Sequence, residues 1–332
     1  MSNKTKTLIF FIFLSIFALL VFLINKNRQK VITENILPLK PSIPNYIKGE
    51  LEISFVIDES KVNIPEKLPM INLFPKKILA KDLTLISKNL GFEGEPSSFK
   101  DVDEGMKYYW NNSTYVLNIT PQTSSIIYEN STGSIPQTLK KGLSEIELKT
   151  IANSFLEKVG IINLSELEVV SIDPLTVNQS NEGLVNTTYD KAQIFSVNYR
   201  PKTSNFQILT IDPGTQPIHV QILPDGQIYR SKIFVLENLN FGISEYNLKN
   251  YNDIINKKNE AKIVNISDIY ATLTDFSAKD LSNIEISNID IVYLIENLQM
   301  SIIQPVFLLK GTALVNTFGK SVDVLLYLPA FK

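Results

Sequence analysis

The chain has no cysteine and only one histidine, His219, among its 332 residues. Without cysteine there are no disulfides, no thiolate nucleophiles and no cysteine-based metal sites. With one histidine, Ser-His-Asp or Cys-His catalysis would depend on a single imidazole, and no G-x-S-x-G stretch accompanies it. Phosphate-binding glycine loops are also missing. Gly91-Phe92-Glu93-Gly94 has neither dinucleotide nor P-loop spacing, and its acids would repel phosphate. Asp101-Val102-Asp103-Glu104-Gly105 opens like a calcium loop, but its glycine comes one place early and Asn112 stands where the closing Glu belongs. It reads as an acidic surface turn. No metal and no cofactor is expected.

Charge is scarce and unevenly placed. Lys and Arg number 32 against 34 Asp and Glu, for a net charge of −2. Lys4, Lys6, Lys26, Arg28 and Lys30 stand without an acid among residues 1–30, so the rest of the chain is acidic. An acidic body with no Lys/Arg stripe repels phosphate backbones, which argues against nucleic acid as a partner. The hydrophobic fraction of 44% and charged fraction of 20% are those of an ordinary folded protein.

One long hydrophobic run is present. Leu8 to Ile24 carries no charge and includes Leu8, Phe11, Ile16, Leu20 and Ile24. As a helix it would extend roughly 25 Å at about 1.5 Å per residue, at the short end of a membrane span. Asn25-Lys26-Asn27-Arg28 follows it, with no small-residue cleavage site. The expectation is therefore a retained single-pass anchor over residues 1–30, contacting the lipid bilayer through residues 8–24. The N-terminus is expected to be cytoplasmic and the body extracytoplasmic. Pro38, Pro41 and Pro44 favour an extended stalk over residues 31–47.

Alternation from Leu51 to Asp58 predicts a strand, and Pro65, Pro69 and Pro75 a loop after it. Leu79, Leu83, Ile86 and Leu90 share a helical face that stops at Gly91. Tyr108-Tyr109-Trp110 and Tyr115-Val116-Leu117 flank a polar turn and predict a hairpin. Ser144 and Glu147 form a capping-box pattern that opens a second helix, closed by Gly160. Strands are expected at 168–172, 193–199 and 207–211, and on both sides of Pro224-Asp225-Gly226. A third helix is expected around Leu248 to Ile255, then strands at 289–295, 305–309 and 322–328. Helix followed by antiparallel strands, three times over, predicts an α+β fold of repeated helix-plus-sheet modules, spanning 48–142, 143–242 and 243–332.

His219 falls on the polar face of its strand and reads as a solvent-facing ring. The Tyr108-Tyr109-Trp110 cluster could stack on a sugar, although an aromatic hairpin more often belongs to a core. No pair among the acids stands out as a glycosidase pair. N-x-S/T triplets at Asn118 and Asn186 are expected by chance in an Asn-rich chain.

The C-terminal stretch contains Tyr293 within Ile289–Leu294, then Gln304-Pro305-Val306-Phe307, then Gly311, and ends in Leu328-Pro329-Ala330. In these residues it resembles the closing module of membrane-anchored YycH/YycI-type regulatory proteins, a PepSY-like unit of one helix against a small antiparallel sheet. The resemblance implies an interaction protein without catalysis that modulates a membrane sensor kinase of a two-component system. It makes Tyr293, Gln304, Pro305 and Gly311 candidate partner contacts. The alternatives are an envelope glycan hydrolase using paired carboxylates, and a ligand-binding or structural envelope module.

Overall fold

The computed structural model describes residues 40–133, 135, 142–177, 184–203, 206–211, 216–267, 276–296, 302–317 and 319–332. The predicted anchor, with Leu8, Phe11, Ile16, Leu20 and Ile24, lies outside them, as does Pro38 of the predicted stalk. Among the described residues no helix is long and apolar enough to cross a membrane. The longest runs from Glu145 to Val159, 15 residues, with acids and a lysine in its terminal turns. The expected placement as a single-pass protein with an extracytoplasmic body is corrected accordingly and is not carried further.

The fold class also needs correcting. The chain is mostly β, built from two large sheets, and among the described residues only three α-helices are seen. All three predicted helices form: α1 (Ala80–Asn89), α2 (Glu145–Val159) and α3 (Tyr251–Asn256). They do not each carry a sheet of their own, because the strands between them pair across the predicted module boundaries.

The first sheet has nine strands. They are β3 (Ser97–Asp101), β4 (Gly105–Asn111), β5 (Tyr115–Thr120), β6 (Ser125–Asn130), β12 (Ile228–Phe234), β11 (Ile218–Ile222), β9 (Ile194–Pro201), β7 (Leu167–Val177) and β8 (Leu184–Asn186), neighbours in that order and antiparallel throughout. Both longer helices cover one face of it. Ile86 of α1 and Leu148, Ala152, Phe155, Leu156 and Val159 of α2 pack with Leu117, Ile126, Val197, Val220 and Ile233. Each such Leu, Ile or Phe contributes about 1.5–3 kcal/mol relative to exposure. The ends of α2 form as the sequence specifies. The Ser144 hydroxyl accepts from Glu147 N at 3.3 Å, and Ser144 N donates to Glu147 Oε2 at 2.7 Å. Gly160 closes the helix at φ 80°, in the left-handed region that glycine enters without strain.

The second sheet has eight strands. β15 (Leu281–Ile295), β16 (Ile302–Val315), β17 (Lys320–Pro329) and β14 (Lys262–Ile266) follow one another antiparallel. Two short strands lie parallel to β15, namely β1 (Ile53–Phe55) beside its first half and β10 (Gln207–Thr210) beside its end. β2 (Lys67–Pro75) pairs with β13 (Leu236–Asn247) and with the start of β16. The region read as a proline loop is thus a strand. The ladder tolerates its prolines because a register shift lies between Phe241 and Glu245, beside Pro69, and Pro75 is the last residue. This sheet is buried on both faces, so residues 303–309 form an unbroken buried run. Phe307, Leu309, Leu326 and Leu328 face Ile254 of α3. Val306, Leu308, Leu294 and Tyr327 pack with Leu209 on the opposite side, where Ile43 also contacts them. Residues 40–47 lie against the body here instead of standing clear as a stalk. Ser42 N donates to Glu296 Oε2 at 2.8 Å, Lys40 pairs with Glu260 at 2.8 Å, and Ile47 is buried.

The chain passes between the sheets several times. It leaves the nine-stranded sheet after β9, adds β10 to the other sheet and returns as β11. It leaves again from β12 into β13. Ile71, Ile208, Phe234, Tyr293, Ile295 and Ile303 form a small core between the two sheets.

Candidate functional site

The crossings between the sheets form a half-open cavity of about 270 Å³. Pro201 and Lys202 line it where the chain leaves β9, Pro217 and Ile218 where it returns, and Phe234, Val235 and Leu236 where β12 becomes β13. The segment after α2 completes the wall with Ile162, Asn163, Glu166 and Leu167. Local hydrogen bonds fix these pieces to one another. Phe234 N donates to Pro217 O at 3.0 Å, Lys202 N to Glu166 O at 2.7 Å, and Lys76 N to Val235 O at 2.9 Å. The Lys76 ammonium reaches back to Ile161 O at 2.8 Å.

The lining is apolar and polar in about equal parts, its polar groups including Asn163, Glu166 and Lys202. Asn163 holds the polar part in shape, its Oδ1 accepting from Ser165 N at 3.2 Å and from the Ser165 hydroxyl at 2.8 Å, while its Nδ2 donates to Glu166 Oε1 at 2.8 Å. The Lys202 ammonium donates to Ser165 O at 2.9 Å. Glu166 and Lys202 therefore present opposite charges from neighbouring backbone positions, yet take part in none of the ion pairs found among the described residues. Glu166 is the one carboxylate in the lining, so a carboxylate pair for glycan hydrolysis is not assembled there. A concave site that combines apolar walls with a small number of placed polar groups, set at the junction of two sheets, can hold a small molecule.

Sequence reasoning missed this site because its lining comes from four separate stretches of chain. The only local signal was Asn163-Leu164-Ser165-Glu166, a side-chain-capped turn of the same spacing as a capping box.

The residues singled out from the sequence lie elsewhere. Tyr293, Gln304, Pro305 and Gly311 all sit inside the β15–β16 hairpin and are buried there. Tyr293 and Pro305 are opposed in the ladder, and Gln304 opposes Leu294. Gln304 Oε1 is buried with no hydrogen-bond partner among the described residues. Trp110 belongs to the helix-covered core, its Nε1 donating to Gly94 O at 3.3 Å. Tyr109 points the other way, stacks on Phe99 with ring centres 5.3 Å apart, and accepts from Asn118 Nδ2 at 3.2 Å. The acidic turn is closed upon itself, with Asp101 Oδ1 accepting from Asp103 N at 2.9 Å and Glu104 N at 3.0 Å, while Lys107 pairs with Oδ2 at 3.0 Å. Those bonds bring the Asp101 carboxyl down to about 2.

His219 differs from its expected solvent-facing state. It does lie on the face turned away from the helices, opposite Asn198 on β9 and Lys232 on β12. On that face Lys232, His219, Asn198 and Ser171 form a polar row across β12, β11, β9 and β7, which Ile127 of β6 separates from Asn118 and Tyr109. Asn198 is buried, donating from Nδ2 to Asp173 Oδ2 at 2.7 Å and to the Ser171 hydroxyl at 3.0 Å. Burial, reinforced by the charges of Lys232 and Arg230, pushes the imidazole down to about 4. His219 is therefore neutral at physiological pH.

No family model matches the chain, and no curated protein matches it. Among solved structures, an uncharacterized protein from Eubacterium rectale is similar over 86% of this chain and 90% of its own, with 12% sequence identity and a TM-score of 0.47. A likeness that faint carries no argument. Nothing in these comparisons speaks for a single-pass regulator of the YycH/YycI type, and that reading is set aside together with the anchor.

Proposed function

We propose that the protein is a ligand-binding module without catalysis, and that its site is the cavity at the crossings between the two sheets. The observation carrying this reading is the cavity itself: about 270 Å³, half open to solvent, lined by Ile162, Leu167, Pro217, Ile218 and Phe234 together with Asn163, Glu166 and Lys202. Taking roughly 30 Å³ per water, the space corresponds to about nine waters, and so to a ligand of about ten non-hydrogen atoms. Its polar groups are Asn163, Glu166 and Lys202, whose role in this reading is to bind and orient a ligand. The neutral imidazole of His219 belongs to the other face of β11, since side chains alternate along a strand and Ile218 faces the core.

The test is ligand-dependent stabilisation of the full chain. Small apolar molecules carrying a polar end are expected to raise the melting temperature, by an amount equivalent to about 2.7 kcal/mol at a hundredfold excess over Kd. Ile162→Trp, which fills the half-buried rim, is expected to abolish the effect while keeping the unliganded melting temperature within a few degrees. Stabilisation that survives in the Ile162→Trp protein would place the ligand elsewhere and overturn the assignment.

A further inference from the structure

We infer that the ligand of this cavity is a small zwitterion with an apolar body, of the class of a free aliphatic or aromatic amino acid. The inference rests on the reading of the cavity as a ligand site and adds the chemistry of what fills it.

Three features of the lining point to this class. The first is the pair of opposite charges. Lys202 N bonds to Glu166 O at 2.7 Å, so the two residues are held side by side. Their side chains nevertheless make no ion pair with each other. The ammonium is turned to Ser165 O at 2.9 Å, and Glu166 Oε1 is engaged by Asn163 Nδ2 at 2.8 Å. Both side chains are exposed and each is held by a neutral partner of the protein, so neither is paired with an opposite charge, and a ligand bearing both signs offers a partner to each.

The second feature is what a ligand with one charge would meet. A carboxylate drawn to Lys202 would lie beside the Glu166 carboxylate, and an ammonium drawn to Glu166 would lie beside Lys202. Each singly charged ligand gains one attraction and suffers one repulsion of similar size. An uncharged apolar molecule gains neither, and a zwitterion gains both. The third feature is size. The remaining wall is formed by Ile218, Phe234 and Leu236, and a volume of about 270 Å³ suits a leucine- or phenylalanine-sized molecule. A ligand of this size at a partly solvated site is expected to bind with a Kd of about 1 mM.

The experiment titrates the full chain with four compounds that share one side chain: L-leucine, L-leucine amide, N-acetyl-L-leucine and N-acetyl-L-leucine amide. They carry both charges, the ammonium alone, the carboxylate alone, and neither. Leucine is expected to bind most tightly, with each loss of a charge weakening binding about fivefold. Lys202→Gln is expected to erase the preference for leucine over its amide and to leave the preference over the N-acetyl compound. Glu166→Gln should do the reverse. Ile162→Trp should abolish binding of all four.

Equal binding of all four compounds, still lost in Ile162→Trp, would overturn the zwitterion class while the cavity remained a ligand site. Tighter binding of a singly charged compound than of leucine would overturn it as well, and would name the dominant charge. Absence of binding by all four up to tens of millimolar, well above the expected Kd, would overturn the inference. The broader ligand screen with the same Ile162→Trp control then decides separately whether the cavity binds anything.

Discussion

The Tyr293 hydroxyl donates a 2.7 Å hydrogen bond to the carbonyl of Pro69, joining positions 224 residues apart. Tyr293 is fully buried in β15, where its ring meets Phe206 edge-on, and Pro69 belongs to β2. The bond thus ties the β2–β13 pair to the central hairpin of the eight-stranded sheet. Tyr293→Phe keeps the ring and removes the donor, leaving a shielded carbonyl without it. A loss of about 1–3 kcal/mol is expected. Urea unfolding should show a lower midpoint with an unchanged slope; an unchanged midpoint would mean that the carbonyl finds another donor.

Gly311 is held by space and not by backbone conformation. A Cβ there would lie 2.1 Å from Glu285 O and 3.0 Å from Ile286 Cα on the opposing strand. The β15–β16 ladder carries register shifts on both sides of this point. Gly311→Ala has to push the two strands apart where they bulge, and should cost at least about 2 kcal/mol. The same substitution at exposed Gly142, whose Cβ would make only ordinary contacts at 3.8 Å and 3.9 Å, serves as the comparison in one denaturation series.

Lys249 holds down the C-terminal tail from inside. It is buried, and its ammonium donates to Pro329 O at 2.8 Å and to Phe331 O, while its backbone N–H donates to Ala330 O at 2.8 Å. Burial lowers the basicity of the amine, with Glu260 acting in the opposite sense. Lys249→Met retains the length of the stem but strips two carbonyls of a charged donor. A loss of about 2 kcal/mol or more is expected. Hydrogen exchange should speed up first in residues 328–332, and uniform acceleration across both sheets would show that the tail is no separate unit.

His219 sets the acid side of the stability curve. Its pKa is about 4 in the folded chain, against an ordinary 6.5. The unfolded chain therefore takes up this proton at higher pH, and the contribution is fully present above about pH 6.5. It declines as the pH falls towards 4, where the folded form also protonates, for a total of at most about 3 kcal/mol. The carboxyls of Asp58, Asp101, Asp190, Asp253, Glu260 and Asp280 are all shifted below their usual range, so their losses come at still lower pH. Between pH 6.5 and 4.5 the slope is that of the imidazole, and His219→Gln should flatten it. A slope that persists in the variant would assign it to another group.

Local signals in the sequence were sound wherever a few adjacent residues carry the physics. The three helices form where apolar spacing and caps place them, and Ser144 and Gly160 bound α2 as the capping rules require. Pro224-Asp225-Gly226 turns between β11 and β12, with Gly226 at φ 90°. The candidate site was not legible in this way, because Glu166, Lys202 and Phe234 meet only through crossings of the chain. His219 was placed on the correct strand face but is half-buried instead of solvent-facing, since its partial shielding comes from neighbouring strands that alternation along one strand does not reveal.

By itself, the sequence determined the helix positions, most of the strands, and the lack of thiol and phosphate-loop chemistry. Each of these follows from residue identity or from contacts within a turn or two. Tertiary structure alone decided that α1 and α2 share one sheet while α3 packs on the other, and that β10 is lent to that second sheet. It also decided that residues 67–75 are a strand and that Tyr293, Gln304, Pro305 and Gly311 are interior. Strand partners are chosen by matching of apolar faces and backbone hydrogen bonds over separations of up to more than two hundred residues. Alternation in one strand states which face is apolar and does not say which strand will cover it.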